Sequence, residues 1–202
     1  MFLQIDPDNP LRKDLKRAAF MLREGAVIAY PTDTIYGIGC DLFQKDSIER
    51  IYRIKRMPKY KQLSFICRDI AQVSEYAQVS NMAFKIIKRL APGPFTFILS
   101  SNKNVPKIMM NKRREVGVRI TSNPVCSALL EELDNPLINT SATVDKDEYM
   151  SDPYDIYEKF GNDLDLVIDG GVMFSDPSTV IDLTGSEPVV LRQGKGDASS
   201  VL

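Results

Sequence analysis

Residues 26–39 read AVIAYPTDTIYGIG, an apolar run that opens into hydroxyls and ends on two glycines. AVIAY (26–30) has the continuous apolar pattern of a buried strand. Past Pro31 the chain delivers Thr32, Asp33, Thr34 and Tyr36 into a loop, and Gly37 and Gly39 let backbone come close to a neighbour. Ligands of open α/β sheets bind beyond strand ends, so the junction predicts a pocket wall. A glycine-rich turn into a second strand would account for the glycines, but not for Thr32-Asp33-Thr34.

Outward from this stretch the chain alternates between helical and strand patterns. Leu11, Leu15, Ala18, Ala19 and Leu22 form one apolar stripe after Pro10, and Gly25 is placed to stop that helix. Asp46 and Ser47 are candidate caps for a helix carrying Ile48, Ile51, Tyr52 and Ile54, ended before Pro58. LSFIC (63–67), FTFILSS (95–101), VGVRI (116–120), LINTS (137–141) and LVI (166–168) read as strands. Helices are expected over 70–76, 81–90, 124–133 and from 152–153 to about 160. STVIDLT (178–184) and VVLRQG (189–194) flank a GSEP turn and form a terminal hairpin. Together these predict a single α/β domain over 1–202 with a twisted mixed sheet. The polar stretch 142–153 is a candidate mobile lid.

Composition narrows the chemistry. The 202 residues include no histidine, which removes Ser-His-Asp and Cys-His nucleophile activation and every His-ligated metal site. Cys40, Cys67 and Cys126 are too few and too scattered for a disulfide framework or a CxxC site, and read as buried small hydrophobes. Only Cys67, followed by Arg68, has a cation beside it. No apolar stretch approaches a membrane span and the N-terminus lacks a signal peptide's apolar core, so a cytoplasmic protein without membrane contact is expected. The net charge of −1 conceals a division: residues 1–130 hold 22 basic and 11 acidic side chains, residues 131–202 hold 4 and 16. Within the basic part, Arg50, Arg53, Lys55, Arg56, Lys59 and Lys61 form one cluster. Lys103, Lys107, Lys112, Arg113 and Arg114 form another, and both suggest phosphate-rich partners.

No GxGxxG and no GxxxxGK[ST] occurs, so neither a Rossmann nor a P-loop site is expected. The candidate residues lie elsewhere. Lys55 and Arg56 end a helix; Asn139-Thr140-Ser141-Ala142-Thr143 follows a strand; Arg119 sits inside an apolar strand, where it needs an anionic partner. That partner is either an internal carboxylate or a ligand. Ser178-Thr179 and Arg192 complete the set. Hydroxyls and fixed cations at strand ends are the chemistry of holding a nucleotide and a small polar acid.

PTDTIYGIG, Lys55-x-x-Pro58 followed by a strand, PGPFTFIL, VGVRI…NP, TSA, STVIDL and LRQG occur in this order from residue 31 to 194. In this the chain resembles the YrdC/YciO family of threonylcarbamoyl-AMP synthases. The resemblance implies a sheet and flanking helices enclosing a large concave, basic cavity. It implies a nucleotidyl transfer in which ATP, L-threonine and bicarbonate give threonylcarbamoyl-AMP and pyrophosphate for the N6-threonylcarbamoyl modification of tRNA. Magnesium (Mg2+) accompanies the ATP, and no metal site of the chain's own is implied. Thr34, Arg119 and Thr140 would then hold threonine, Arg119 pairing with its carboxylate. Lys55, Ser141, Ser178 and Arg192 would hold the nucleotide, with Lys55 and Arg192 carrying the catalysis. The family's Lys-x-Arg reads Lys55-Arg56-Met57 here, its Ser-x-Asn reads Ser141-Ala142-Thr143, and its histidine falls near Ile66. These departures resemble the YciO branch. They open a second expectation, a catalytically altered protein that binds nucleotide, tRNA or double-stranded RNA.

Overall fold

The structure is a computed structural model in which residues 1–58, 63–110, 112–143, 148–173 and 176–199 are described. Lys59 and Lys61 of the first basic cluster, and 144–147 of the candidate lid, lie outside the described residues.

The first helix, α1 (Arg12–Arg23), buries Leu15, Ala18, Ala19 and Leu22 as the stripe predicts. Leu11 does not join them: it precedes the helix with extended backbone and is 63% exposed. Gly25 adopts φ +92, a left-handed conformation that turns the chain directly from the helix into strand β2 (Ile28–Tyr30). Helix α2 (Lys45–Ile54) corrects the expected caps. Gln44 occupies the cap position without a side-chain bond, and the Ser47 hydroxyl donates instead to the Gly25 carbonyl, 2.6 Å away. Helices α3 (Ile70–Tyr76), α4 (Asn81–Leu90), α5 (Pro124–Leu133) and α6 (Pro153–Phe160) are each opened by a side chain that accepts a first-turn N–H. Those caps are Asp69, Ser80, Asn123 and Asp152.

Two strands escape sequence patterning, β1 (Phe2–Gln4) and β5 (Ala77–Gln78), because two or three residues are too few to show a period. The others are β3 (Gly37–Gly39), β4 (Ser64–Ile66), β6 (Phe95–Ser101), β7 (Glu115–Arg119), β8 (Leu137–Ser141), β9 (Leu166–Asp169), β10 (Thr179–Asp182) and β11 (Val189–Arg192). Among the described residues they join into one eleven-stranded sheet. Its order is β1-β9-β2-β3-β8-β4-β7-β6-β10-β11, with β5 beside β6. The sheet is mixed: β9 runs parallel to β1 and β2, while β8 is antiparallel to both β3 and β4.

Alternating side chains divide the interior between two faces. Ile28, Tyr30, Ile66, Leu137 and Ile168 pack against α1 and α5, whereas Ala29, Phe65, Ile138 and Val167 point to the other core. The three cysteines are buried in these layers. Burial pushes each thiol well above its usual range, and Arg68 turns away from Cys67 to Asp69 and Asp134. No helix among the described residues is long and apolar enough to cross a membrane.

The glycines of the opening stretch do belong to a second strand. A Cβ on Gly39 would sit 1.8 Å from the Ile138 carbonyl oxygen, so β3 and β8 can pair only without a side chain there. Gly39→Ala is therefore expected to cost on the order of 3 kcal/mol, by overpacking against rigid backbone. Gly185→Ala, with its nearest atom 3.7 Å away, should stay within about 0.5 kcal/mol of the parent. Urea midpoints of the two variants measure the difference. The cysteines supply a second check: none should react with a thiol-specific disulfide reagent in the native protein, and all three should react after denaturation.

Candidate functional site

Six neighbouring strands, from β8 through β4, β7, β6 and β10 to β11, contribute to the wall of a common cleft of about 350 Å³. Thr34 enters from the loop before β3, Thr140 and Ser141 from β8, Arg119 from β7, Ser178 from the approach to β10, Arg192 from β11 and Lys55 from the end of α2. All seven residues to which the family resemblance gives a site role line this one cavity. Among the described residues no carboxylate lines it.

The threonine-lined end is built on Arg119. Its side chain is 5% exposed, and Nη2 donates to Asp33 Oδ1 at 2.6 Å and to Thr34 Oγ1 at 3.0 Å. Of the two partners open to it from sequence, an internal carboxylate is thus present. Asp33, itself 7% exposed at the side chain, also accepts from the Ser122 N–H, which ties the loop to the chain beyond β7. Thr32 and Thr34 hydroxyls lie 3.1 Å apart, and Thr32 donates to the Ile35 carbonyl. One donor is left over: among the described residues, Arg119 Nε is buried and has no partner.

Lys55 reaches across the cleft to β8's continuation. Its Nζ donates to the Thr143 carbonyl at 2.6 Å and hydroxyl at 2.8 Å, and lies 5.7 Å from the centre of the Phe160 ring. Thr143 is bridged to Tyr149, and the Met150 N–H donates to the Ala142 carbonyl. Met57 lines the cleft as an apolar wall packed on the core. Arg56 does not take its place. It has φ +47, is exposed and contributes nothing to the lining.

At the far end Arg192 is fixed by the Ser178 carbonyl, with Nη2 at 2.7 Å and Nε at 3.2 Å, and the Ser178 hydroxyl is 2.8 Å from that of Thr96. Between the ends, the Asn139 Oδ1 accepts from the Tyr30 hydroxyl at 2.9 Å. Asn139, part of the candidate stretch 139–143, lines the cleft too, as do Thr96 and Ser64, which were not singled out by sequence. The signal available for Thr96 was a lone hydroxyl in the apolar strand FTFIL. Asp33 was visible only as part of Thr-Asp-Thr. The two basic clusters do not converge here: Arg50 pairs with Asp165, and Lys103, Lys107, Lys112, Arg113 and Arg114 are exposed away from the lining.

Chemically the cleft offers donors and positive charge. Burial raises the phenols of Tyr30 and Tyr36 well above their usual range, so both act as neutral hydrogen-bonding groups. Tyr36 donates to the Gly171 carbonyl and accepts from the Gly170 N–H. Position 66, near the family's histidine, holds a fully buried core isoleucine.

Residues 20–194 match the Sua5/YciO/YrdC family, whose description reads "Telomere recombination". YciO of Escherichia coli (strain K12) is 41% identical over 203 residues, spanning 100% of this chain and 98% of that protein. Its crystal structure superposes with a TM-score of 0.95, covering 100% and 99% of the two chains. A threonylcarbamoyl-AMP synthase of Psychromonas ingrahamii is 34% identical over 166 residues, covering 80% of this chain and 87% of that one. Sua5 of Pyrococcus abyssi, solved in complex with L-threonine, superposes with a TM-score of 0.89 at 29% identity, across 96% of this chain and 57% of the other. Sequence and structure agree: the chain belongs to the Sua5/YciO/YrdC family.

Proposed function

We propose that the cleft binds L-threonine and ATP and makes threonylcarbamoyl-AMP, the adenylate used for N6-threonylcarbamoyl modification of tRNA. The observation that carries this reading is the buried, unpartnered Nε of Arg119 at the edge of a cavity rich in hydroxyls. An unsatisfied buried donor costs free energy that a ligand carboxylate recovers. Nη2 is already committed to Asp33 and Thr34, so Nε is the donor left for an oxygen of a ligand carboxylate. Asp33 holds the guanidinium through Nη2, as a positioning residue. Thr34 and Thr140 complete the amino-acid end.

The reaction divides into two steps. Threonine's amine attacks bicarbonate and water leaves, giving a carbamate. A carbamate oxygen then attacks the α-phosphorus of ATP, and the bond to pyrophosphate breaks. Nothing in either step requires histidine. Lys55 and Arg192, with the Ser141 and Ser178 hydroxyls, stand where phosphoryl charge would develop, and fixed donors of this kind lower barriers without reorganising. Lys55 must exchange its Thr143 contacts for phosphate oxygens to do so. Magnesium would enter as part of the substrate, MgATP, held through the phosphates; among the described residues no carboxylate lines the cleft.

A second reading, a binding protein that retains nucleotide without turning it over, is favoured by one observation. Met57 presents a thioether to the cavity where the family pattern has an arginine, and Arg56 does not compensate. Its other branch, tRNA or duplex RNA as ligand, would use the exposed Lys103–Arg114 cluster.

With ATP, L-threonine and labelled bicarbonate, the purified protein should release pyrophosphate in a threonine-dependent manner and form a labelled adenylate. No product under these conditions, with ATP still bound in calorimetry, would replace synthesis with the second reading. Lys55→Ala should lower kcat roughly 10²–10³-fold, the scale of losing one charge-stabilising donor. Arg119→Lys keeps the charge but loses the Nε donor. It should act chiefly on the KM for threonine, raising it about tenfold or more. Asp33→Asn should shift the same KM in the same direction, with a smaller change in kcat.

A further inference from the structure

The acidic surplus of residues 131–202 finds no use in a cleft whose described lining holds no carboxylate. Part of it gathers behind Tyr36, where a separate groove of about 610 Å³ runs beside the edge strand β1. Phe2, Gln4, Asp6, Asp152 and Asp169 line it, and among the described residues no lysine or arginine does.

Three features define what fits. The carboxylates do not form a metal cage: no group of three acidic or cysteine side chains among the described residues could hold a metal ion. Their charge therefore matches an extended cation better than a point ion. Phe2, Tyr154 and Tyr157 are 37%, 57% and 37% exposed and meet edge to face, with ring centres 5.4 and 6.5 Å from that of Phe2. Such rings accept the stems and heads of lysine and arginine. Finally, β1 has an open edge. The Ile5 N–H donates to the Asp169 carbonyl and the Val167 N–H to the Met1 carbonyl, so the odd-numbered residues face β9. The N–H and C=O groups of Phe2 and Gln4 then point outward, where no described strand pairs with them.

We propose that this groove docks an extended, Lys/Arg-rich segment of a partner protein. The segment adds as a strand to β1 and lays its basic side chains along Asp6, Asp152 and Asp169. Charge decides against a second copy of this chain as occupant, because two-fold pairing along β1 would set three carboxylates against the same three. Gly171, whose carbonyl accepts from Tyr36 of the loop that carries Thr34, is among the residues lining the groove.

The test uses a rhodamine-labelled acetyl-(Lys-Val)₃-amide peptide and the full chain, read by fluorescence anisotropy at low salt. Saturable binding is expected, weakened by salt and absent for the (Glu-Val)₃ counterpart. The triple variant Asp6→Asn, Asp152→Asn, Asp169→Asn should weaken it about tenfold, three exposed charge pairs being worth that much together. Asparagine keeps the acceptor that caps α6 and the one that receives the Gly171 N–H. Lys55→Ala should bind the peptide as the parent does. Hydrogen exchange should show the peptide protecting the Phe2 and Gln4 amides. Undiminished binding by the triple variant, equal binding of the glutamate peptide, or binding without protection of those amides would overturn the proposal. A concentration-dependent dimer abolished by Phe2→Asp would overturn it too, by assigning the face to a second copy.

Discussion

The ion pair between Arg119 and Asp33 joins the end of β7 to the loop that follows β2, 86 residues earlier, and both side chains are almost sealed from water. Two charges taken out of water repay their desolvation only if geometry and further hydrogen bonds satisfy them, and losing one partner costs about 3–5 kcal/mol. Here Thr34 and the Ser122 N–H supply further bonds, and Asn123 adds a bond to the Thr32 carbonyl. The loop is thus nailed to the sheet at one charged point. Once it is, Thr34, Ile35 and Tyr36 have few places to go: Thr34 faces the cleft, and Tyr36 faces the Gly170–Gly171 peptide. The cavity's threonine-lined end is a consequence of that attachment, and the leftover Nε is its one unsettled account.

Lys55 is held in a different way. Its contacts with Thr143 are short but exchangeable, since a phosphate oxygen accepts from an ammonium at least as well as a carbonyl and a hydroxyl do. Two of the three positions that differ from the family pattern, Met57 and Thr143, lie beside this lysine, and the third, near Ile66, lies on the strand paired with Arg119. A relative such as Pyrococcus abyssi Sua5, whose structure contains L-threonine, shares the fold at 29% identity.

Much of this was legible in the sequence because burial leaves a pattern. Continuous apolar runs marked β2, β4, β6 and β9, and a misplaced arginine inside VGVRI marked the site. What stayed hidden was of two kinds. Elements of two or three residues, β1 and β5, are too short to carry periodicity, and exist because a neighbouring strand offers them a register. Partners chosen across long separations were also hidden: Ser47 left its own helix for Gly25, and Asp33 found Arg119, choices that only the assembled sheet makes available. Among its described residues the first basic cluster is divided for the same reason, Arg50 being drawn off to Asp165 while Lys55 turns inward.

The strand order has one more implication. From β3 to β10 the sheet crosses five strand spacings, which laid flat would part Thr34 from Ser178 by about 24 Å. Both nevertheless border the same 350 Å³ cleft, so the sheet must be rolled. The width of the cleft is therefore tied to sheet curvature as well as to its loops, and that curvature to close backbone approaches such as Gly39 against the Ile138 carbonyl, outside the lining.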